Sequence, residues 1–288
     1  MMQRAAVLGH PIAHSKSPAL HRAAYARLGA DISYSAIDVT EERLPAFMSA
    51  VRAEAGWRGL SVTMPLKSAM VREVDDVRGI AGVLGVVNTV VFEEDEAGVH
   101  PVGYNTDVAG IVNAVRHAGV VPAPSAVILG GGGTAAAAAA ALKDLGAPSV
   151  EVFLRDETRG AEVRTASAGV GLDVRVRPIS EAAAAMAGAD VVISTLPPRA
   201  ADKLAAELAA HRRGASTRGV LLDVAYDPWP SRIASAWHEA GGAVVPGLEM
   251  LLYQAVEQVR LFTGLGSDVN DEVIDVMCDS VGAPRRVL

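Results

Sequence analysis

One stretch limits the possible folds more than any other. Val127-Ile128-Leu129 runs into Gly130-Gly131-Gly132-Gly133-Thr134, and a charge-free, alanine-rich segment follows from residue 135 to 142. Gly130, Gly132 and Ala135 satisfy the spacing G-x-G-x-x-G/A. There the first glycine permits the tight turn, the second lets a pyrophosphate approach bare backbone, and the third small residue lets helix and strand pack closely. The N-terminus of the helix presents unpaired N–H groups to the phosphates. A plain glycine-rich strand-to-helix loop has a similar composition, but the flanking apolar strand and unbroken helical run favour a dinucleotide-binding turn.

The chain of 288 residues is long enough for about two domains, and 50% hydrophobic content is ample for packed cores. A net charge of −7 leaves no basic stripe to replace counterions, which argues against nucleic acid and anionic membrane as partners. A single cysteine, Cys278, fits a reducing compartment. The short apolar run at residues 5–8 ends in Gly9-His10-Pro11, unlike a signal peptide, so the cytoplasm is the expected location. Residues 118–142 lack charge, yet Pro122, Pro124 and the glycines break them as a membrane span.

In order, residues 5–9 read as a strand that delivers the chain into a polar loop, residues 10–18. Ser17 and Pro18 predict a helix start, with Ser17 as N-cap and Pro18 at the first helical position, running to Gly29. His10, His14 and His21 have no nearby cysteine or carboxylate to complete a metal shell; they read as loop and helix-surface residues, and no metal is expected. A strand at 32–39, a helix at 42–55 closed by Gly56, and a strand at 59–63 complete a βαβαβ pattern. Lys67 falls just past the third strand end, where α/β proteins place reactive groups, although an isolated lysine is ordinarily a solvated charge. Strands at 86–92 and 99–104 surround an acidic loop. Asn105-Thr106-Asp107 then opens a helix to 118, and Asn88, polar within an apolar strand, requires a partner or a ligand.

Strands at 150–154, 191–195 and 220–224, with helical segments between, continue a parallel sheet. An NAD-binding Rossmann domain carries an acidic residue at the end of its second strand, whereas an arginine suits the 2′-phosphate of NADP. Arg155 stands there with Arg159 a turn later, which favours NADP over NAD, while Asp156 and Glu157 pull the other way. A helix at 248–262 carries Gln254 beside its apolar face, and a last helix at 272–279 shows no chemistry.

Taken together, the chain resembles the shikimate dehydrogenase family over residues 7–262. The resemblance is carried by Gly9-x-Pro11-Ile12-x-His14-Ser15-x-Ser17-Pro18, Val62-Thr63-x-Pro65-x-Lys67, Val87-Asn88-Thr89, Gly103-x-Asn105-Thr106-Asp107, the glycine turn, Asp223-x-x-Tyr226-x-Pro228 and Gly247-x-x-Met250-Leu251-x-x-Gln254. It implies an α/β fold in which an N-terminal substrate domain (1–106 and 248–288) accompanies a doubly wound Rossmann NADP domain (107–247), with the active site in the cleft between them. It implies reversible NADP-dependent reduction of 3-dehydroshikimate to shikimate, in aromatic amino-acid biosynthesis.

On that resemblance Ser15, Ser17 and Tyr226 hold the substrate carboxylate, while Thr63, Asn88 and Gln254 surround the ring hydroxyls with the acid/base pair Lys67 and Asp107. Whether Lys67 takes the proton, or positions the hydroxyl while Asp107 or water carries it, stays open. The cofactor set is Gly130, Gly131, Gly132, Gly133, Thr134, Ala135, Arg155, Arg159, Thr195, Gly247 and Met250. Three departures stand out: Ser61 where the family commonly has asparagine, which shortens a polar side chain near the substrate; Asp156 after the family's arginine, which adds like charge near a 2′-phosphate; and Gly131 in place of alanine. The competing expectations are a quinate or dual-specificity enzyme using NAD, and a nucleotide-binding regulator without catalysis. The chain is expected to work as a monomer or homodimer.

Overall fold

Short apolar strands separated by helices build two sheets, one in each unit of the chain. The computed structural model describes residues 3–96, 98–211 and 217–286. Unit 1 comprises Met1–Thr106 and Gln254–Leu288, and unit 2 is Asp107–Tyr253.

Unit 1 opens with β1 (Gln3–Gly9), α1 (Ser17–Leu28), β2 (Ile32–Asp38), α2 (Leu44–Ala53) and β3 (Trp57–Val62), the βαβαβ order that the punctuation of the sequence predicts. It continues with β4 (Asp76–Val77), α3 (Ile80–Leu84), β5 (Thr89–Asp95) and β6 (Gly98–Tyr104). The strand order is β2-β1-β3-β5-β6-β4. β1 runs parallel to β2 and β3, whereas β5 is antiparallel to both β3 and β6. Ala6 and Leu8 of β1 and Leu60 of β3 pack with Leu44, Met48, Leu66 and Met70 on one face. Burial of each leucine or methionine contributes roughly 1.5–3 kcal/mol.

Two expectations about α1 need correction. Lys16, not Ser17, is the N-cap, and Ser17 is the first helical residue and buried. The Ser15 hydroxyl instead accepts from the Ser17 N–H at 3.3 Å. His21 is not on the helix surface but fully buried, stacked on Tyr34 with ring centroids 4.0 Å apart. His10 and His14 are exposed.

Unit 2 begins with α4 (Asp107–His117), β7 (Ala126–Leu129), α5 (Gly133–Asp144), β8 (Ser149–Leu154), α6 (Ala161–Gly169) and β9 (Asp173–Pro178). It continues through α7 (Ala182–Gly188), β10 (Val191–Ser194), α8 (Asp202–His211), β11 (Val220–Asp223), α9 (Arg232–Glu239) and β12 (Ala243–Pro246). All six strands are parallel in the order β12-β11-β10-β7-β8-β9. Counted within the unit, this is the 3-2-1-4-5-6 order of a doubly wound dinucleotide fold, with its switch point between β7 and β10. The chain closes with α10 (Gly247–Thr263), which crosses from unit 2 into unit 1 at Tyr253, and α11 (Asp271–Val281), which packs on α1.

The alanine run does more than favour helix. Every side chain from Ala135 to Leu142 is at most 2% exposed, and α5 is packed by α4, α6 and β7. Only methyl groups allow an element to be enclosed that closely. Ala139→Leu is therefore expected to destabilise the fold by roughly 1–3 kcal/mol through overpacking; a urea midpoint equal to that of the wild type would show that α5 has room to spare.

Candidate active site

In unit 1 the end of β3 and the segment before β5 converge. The Val87 N–H donates to the Lys67 carbonyl at 3.0 Å, and the Val62 N–H donates to the Asn88 carbonyl at 2.7 Å. β5 begins at Thr89 rather than 86, and Asn88 just before it already bonds both neighbouring strands, its N–H donating to the Tyr104 carbonyl at 3.1 Å. Thr63 follows β3 and its N–H donates to the Leu8 carbonyl at 2.9 Å. A Cβ on Gly9 would lie 2.5 Å from the Thr63 methyl and 2.9 Å from the Met64 carbonyl, so glycine is what lets the Thr63–Lys67 turn close over β1. Lys67 is half-buried on this turn. The loop bearing Ser15 is anchored by Asp38, which accepts from the Ile12 N–H at 3.3 Å and pairs with His10 at 2.7 Å. Those contacts hold the Asp38 carboxyl below its usual range, with His10 the main cause.

Asn88 answers the question that its sequence position raises. It is 2% exposed, and its Oδ1 accepts from the Thr106 N–H at 2.7 Å and the Thr89 hydroxyl at 2.8 Å. Its Nδ2 donates to Thr106 Oγ1 at 2.9 Å and, more weakly, toward Gln254 Oε1 at 3.5 Å. Three residues assigned to the substrate by resemblance, Lys67, Asn88 and Gln254, thus share one patch of unit 1.

Gln258 and Tyr34 join that patch without having been singled out, and Thr89 and Thr106, named within the motifs, join it without having been given a role there. The spacing of Gln254 and Gln258 was the available signal, since positions four apart share a helix face. Ser61 is 4% exposed, with its hydroxyl between Tyr34 (2.7 Å) and Gln258 (2.6 Å). Its place is in a buried network rather than simply at the edge of a substrate. Burial lowers the His21 imidazole to about 4 and pushes the Tyr34 phenol up.

In unit 2 the glycine turn lies at the sheet switch point. Gly130 has φ 109°, and a Cβ there would sit 2.3 Å from Thr195 Oγ1, which donates to the Leu129 carbonyl at 2.9 Å. Gly131 faces the second strand: its Cβ would lie 2.9 Å from a Leu154 methyl and 3.1 Å from the Arg159 carbonyl. Gly132 is the N-cap of α5, provides no side-chain cap, and has nothing within 4 Å of its Cβ position. Open space over bare backbone at an uncapped helix N-terminus fits a pyrophosphate. Gly133 and Thr134 start the helix and Ala135 is buried beneath it. Arg155 and Arg159 are exposed past β8. Asp156 turns its carboxylate back to the Thr158 N–H (3.0 Å) and hydroxyl (2.6 Å), which hold it below its usual range. Gly247 is buried at the start of α10, where a Cβ would be 2.2 Å from the Val224 carbonyl oxygen, and Met250 is buried one turn on. Asp107 is buried at the first position of α4.

Tyr226 is half-buried on the loop after β11, and Asp223 ties that loop down. Its carboxylate accepts from the Ser231 hydroxyl at 2.6 Å and the Ala225 N–H at 3.4 Å, and Ser231 in turn caps α9. Burial raises Asp223 above its ordinary 3.8. A folded pKa above the unfolded one gives stability that is present below the unfolded value and lost as pH rises through the folded value. Melting temperature should therefore decline across that interval in the wild type, and the Asp223→Asn variant should lack this part of the decline; parallel curves would remove Asp223 as its source.

Among the described residues no group of three or more histidine, cysteine or acidic side chains is placed to hold a metal, and no helix is long and apolar enough to cross a membrane.

The profile for the shikimate dehydrogenase substrate binding domain matches residues 7–90, and that for the shikimate 5′-dehydrogenase C-terminal domain matches residues 247–269. Shikimate dehydrogenase (NADP(+)) of Rubrobacter xylanophilus is 39% identical over 286 residues, covering 98% of this chain and 94% of the relative. The crystal structure of Mycobacterium tuberculosis shikimate dehydrogenase superposes with a TM-score of 0.81 at 37% identity, covering 97% of this chain and 99% of that one. The shikimate 5-dehydrogenase of Thermus thermophilus, crystallised with NADP(H) and shikimate, gives a TM-score of 0.76 at 31% identity over 97% of this chain and 100% of that one. By identity over nearly its whole length, by its profiles and by its doubly wound second unit, this chain belongs to the shikimate dehydrogenase family.

Proposed function

We propose that the chain catalyses the reversible NADP-linked reduction of 3-dehydroshikimate to shikimate. The observation that carries this reading is the patch in unit 1 where the buried amides of Asn88 and Gln254 meet, with Val87, the residue before Asn88, bonded to the Lys67 carbonyl. A polyol needs such a surface, because a site built to pair several hydroxyls rejects analogues that lack one. The Rubrobacter relative bears the NADP-dependent name, and the Thermus relative was crystallised with both NADP(H) and shikimate.

Unit 1 is assigned most of the substrate residues, and unit 2 the cofactor residues together with Asp107 and Tyr226. Ser15, Ser17 and Tyr226 take the carboxylate with neutral hydroxyls, which gives weaker contacts than charge-assisted pairs and leaves discrimination to the polyol face. Thr63, Asn88 and Gln254 orient the ring hydroxyls. An alcohol carbon becomes a carbonyl only as its hydroxyl proton departs, so an acid/base must stand within hydrogen-bond reach. Lys67 and Asp107 are given that role. The nicotinamide supplies the two-electron exchange when bound. Gly130–Ala135, with Thr195, Gly247 and Met250, would hold the dinucleotide, and Arg155 with Arg159 would pair with the 2′-phosphate. The self-contained turn of Asp156 onto Thr158 reduces its competition there. We place this activity in the cytoplasm, in a monomer or homodimer without a nucleic-acid partner.

The test is steady-state oxidation of shikimate and quinate, each with NADP and NAD. Shikimate with NADP should have the highest kcat/KM; preference for quinate or NAD would replace this reading by the dual-specificity one, and no turnover with any pair would favour a binding protein. Lys67→Ala is expected to leave NADP affinity unchanged and cut turnover by a factor on the order of 10² to 10⁴, so unimpaired turnover removes Lys67 from the chemistry. Arg155→Ala should weaken NADP by roughly 1.5–3 kcal/mol and spare NAD; calorimetric titration showing equal losses would contradict the 2′-phosphate contact.

A further inference from the structure

Resting on unit 1 as the shikimate-binding unit, we propose that Gln258 is a positioning residue that fixes the orientation of the Asn88 carboxamide and links it, through Ser61, to Tyr34, whose ring stacks on His21 of α1. Gln258 is 1% exposed on α10.

The proton positions follow from the partners. Gln258 Nε2 lies 3.2 Å from the Asn88 backbone carbonyl, which can only accept. The nitrogen end of the amide therefore faces Asn88, and Oε1 is left to accept from the Ser61 hydroxyl at 2.6 Å. With its proton so placed, Ser61 accepts from the Tyr34 phenol at 2.7 Å. The second Gln258 N–H donates to Thr89 Oγ1 at 2.9 Å, which sends the Thr89 proton to Asn88 Oδ1 at 2.8 Å. The Thr106 N–H donates to the same Oδ1 at 2.7 Å. Asn88 is thereby held with its oxygen toward two donors and its Nδ2 toward Thr106 Oγ1 and Gln254 Oε1. The row Tyr34, Ser61, Gln258, Thr89, Asn88 runs one way, each member donating to the next.

The row reaches further at its start. His21 stacks on the Tyr34 ring, and its Nδ1 lies 2.9 Å from the carbonyl of Ser17, the serine assigned to the substrate carboxylate. Hydrogen bonds and one ring stack thus run between residues assigned to the two chemical ends of the substrate, its carboxylate and its hydroxyls. An apolar side chain at 258 would leave the buried Ser61 proton without its acceptor and Thr89 without its donor, and the Asn88 amide would lose its fixed sense.

A glutamine that only filled space under α10 would affect stability without acting through Asn88, and a double-mutant cycle separates the two roles. The cycle compares wild type, Gln258→Met, Asn88→Ala and the combined variant by kcat/KM for shikimate and by KM for NADP. Gln258→Met should lower kcat/KM for shikimate by a factor on the order of 10 to 100 while leaving the NADP KM unchanged. The combined variant should be no worse than Asn88→Ala alone. Additive losses, parallel rises in both KM values, or unaltered kinetics in Gln258→Met would overturn the proposal. Should Gln258→Met fail to fold, Tyr34→Phe replaces it in the same cycle, with a smaller loss that must likewise vanish in the Asn88→Ala background; an additive loss overturns the proposal there too. Wild-type protein that does not turn over shikimate overturns both readings, whereas wild-type turnover with additive losses overturns only the role of Gln258.

Discussion

Burying an amide in an apolar sheet is the constraint from which the organisation of unit 1 follows. Asn88 is nearly inaccessible, preceded in sequence by two valines, and left unpaired it would carry a penalty of roughly 1–3 kcal/mol for each lost partner. Its neighbours are arranged to remove that penalty. Thr106 supplies a backbone donor just before α4, Thr89 a hydroxyl, and α10 returns to the sheet with two glutamines on one face. The return of α10 is itself tightly specified. Gly59 of β3 has no room for a Cβ, which would lie 2.1 Å from the Phe262 ring, so the helix lies directly against the strand. A late helix in an early sheet is thus held by apolar contact at Phe262 and by amide pairing at Gln258.

Unit 2 solves a different problem by subtraction of side chains. The turn between β7 and α5 must bring backbone to the switch point, and α5 must lie inside its neighbours. Gly130 leaves room for the Thr195 hydroxyl, Gly131 for Leu154, and Gly247 for the end of β11. Gly132 differs in leaving open space, as the pyrophosphate reading of the turn requires. That distinction also accounts for Gly131 in place of alanine: the added methyl would press on Leu154 and the Arg159 carbonyl, and their placement here is the one that glycine permits.

What was legible in the sequence depended on whether a residue's constraint is local. The βαβαβ start, the glycine turn and the long helix containing Gln254 are written in periodicity and punctuation, and they stand within a few residues of where those signals put them. The edges were not. β9 alternates Asp173, Arg175 and Arg177 with apolar residues and is half-exposed, and β12 buries only Val245 before Pro246 ends it; edge strands that bury so little lose the apolar signal that marks a central one. The buried polar row was hidden for another reason. Tyr34 and Gln258 are far apart in sequence, and each reads alone as an ordinary residue of its strand or helix. Ser17 misled because a serine before a proline looks like a cap, whereas the helix begins one residue earlier and Ser17 is buried in its first turn. His21 misled because helix periodicity alone did not reveal an aromatic ring of β2 packed over it.

Asp156 shows how a local hydrogen bond changes the meaning of a charge. Read along the sequence, an acid beside Arg155 opposes a phosphate, since like charges a few ångströms apart repel. In the fold its carboxylate accepts two bonds from Thr158 and caps the short 3₁₀ turn Glu157–Gly160, so its position is set by backbone that must be satisfied anyway. Arg155 and Arg159 remain exposed, and neither needs Asp156 as a partner to be stable in water. The acid is thereby a structural element of the turn that presents the arginines, and replacing it by asparagine would preserve the cap better than replacing it by alanine.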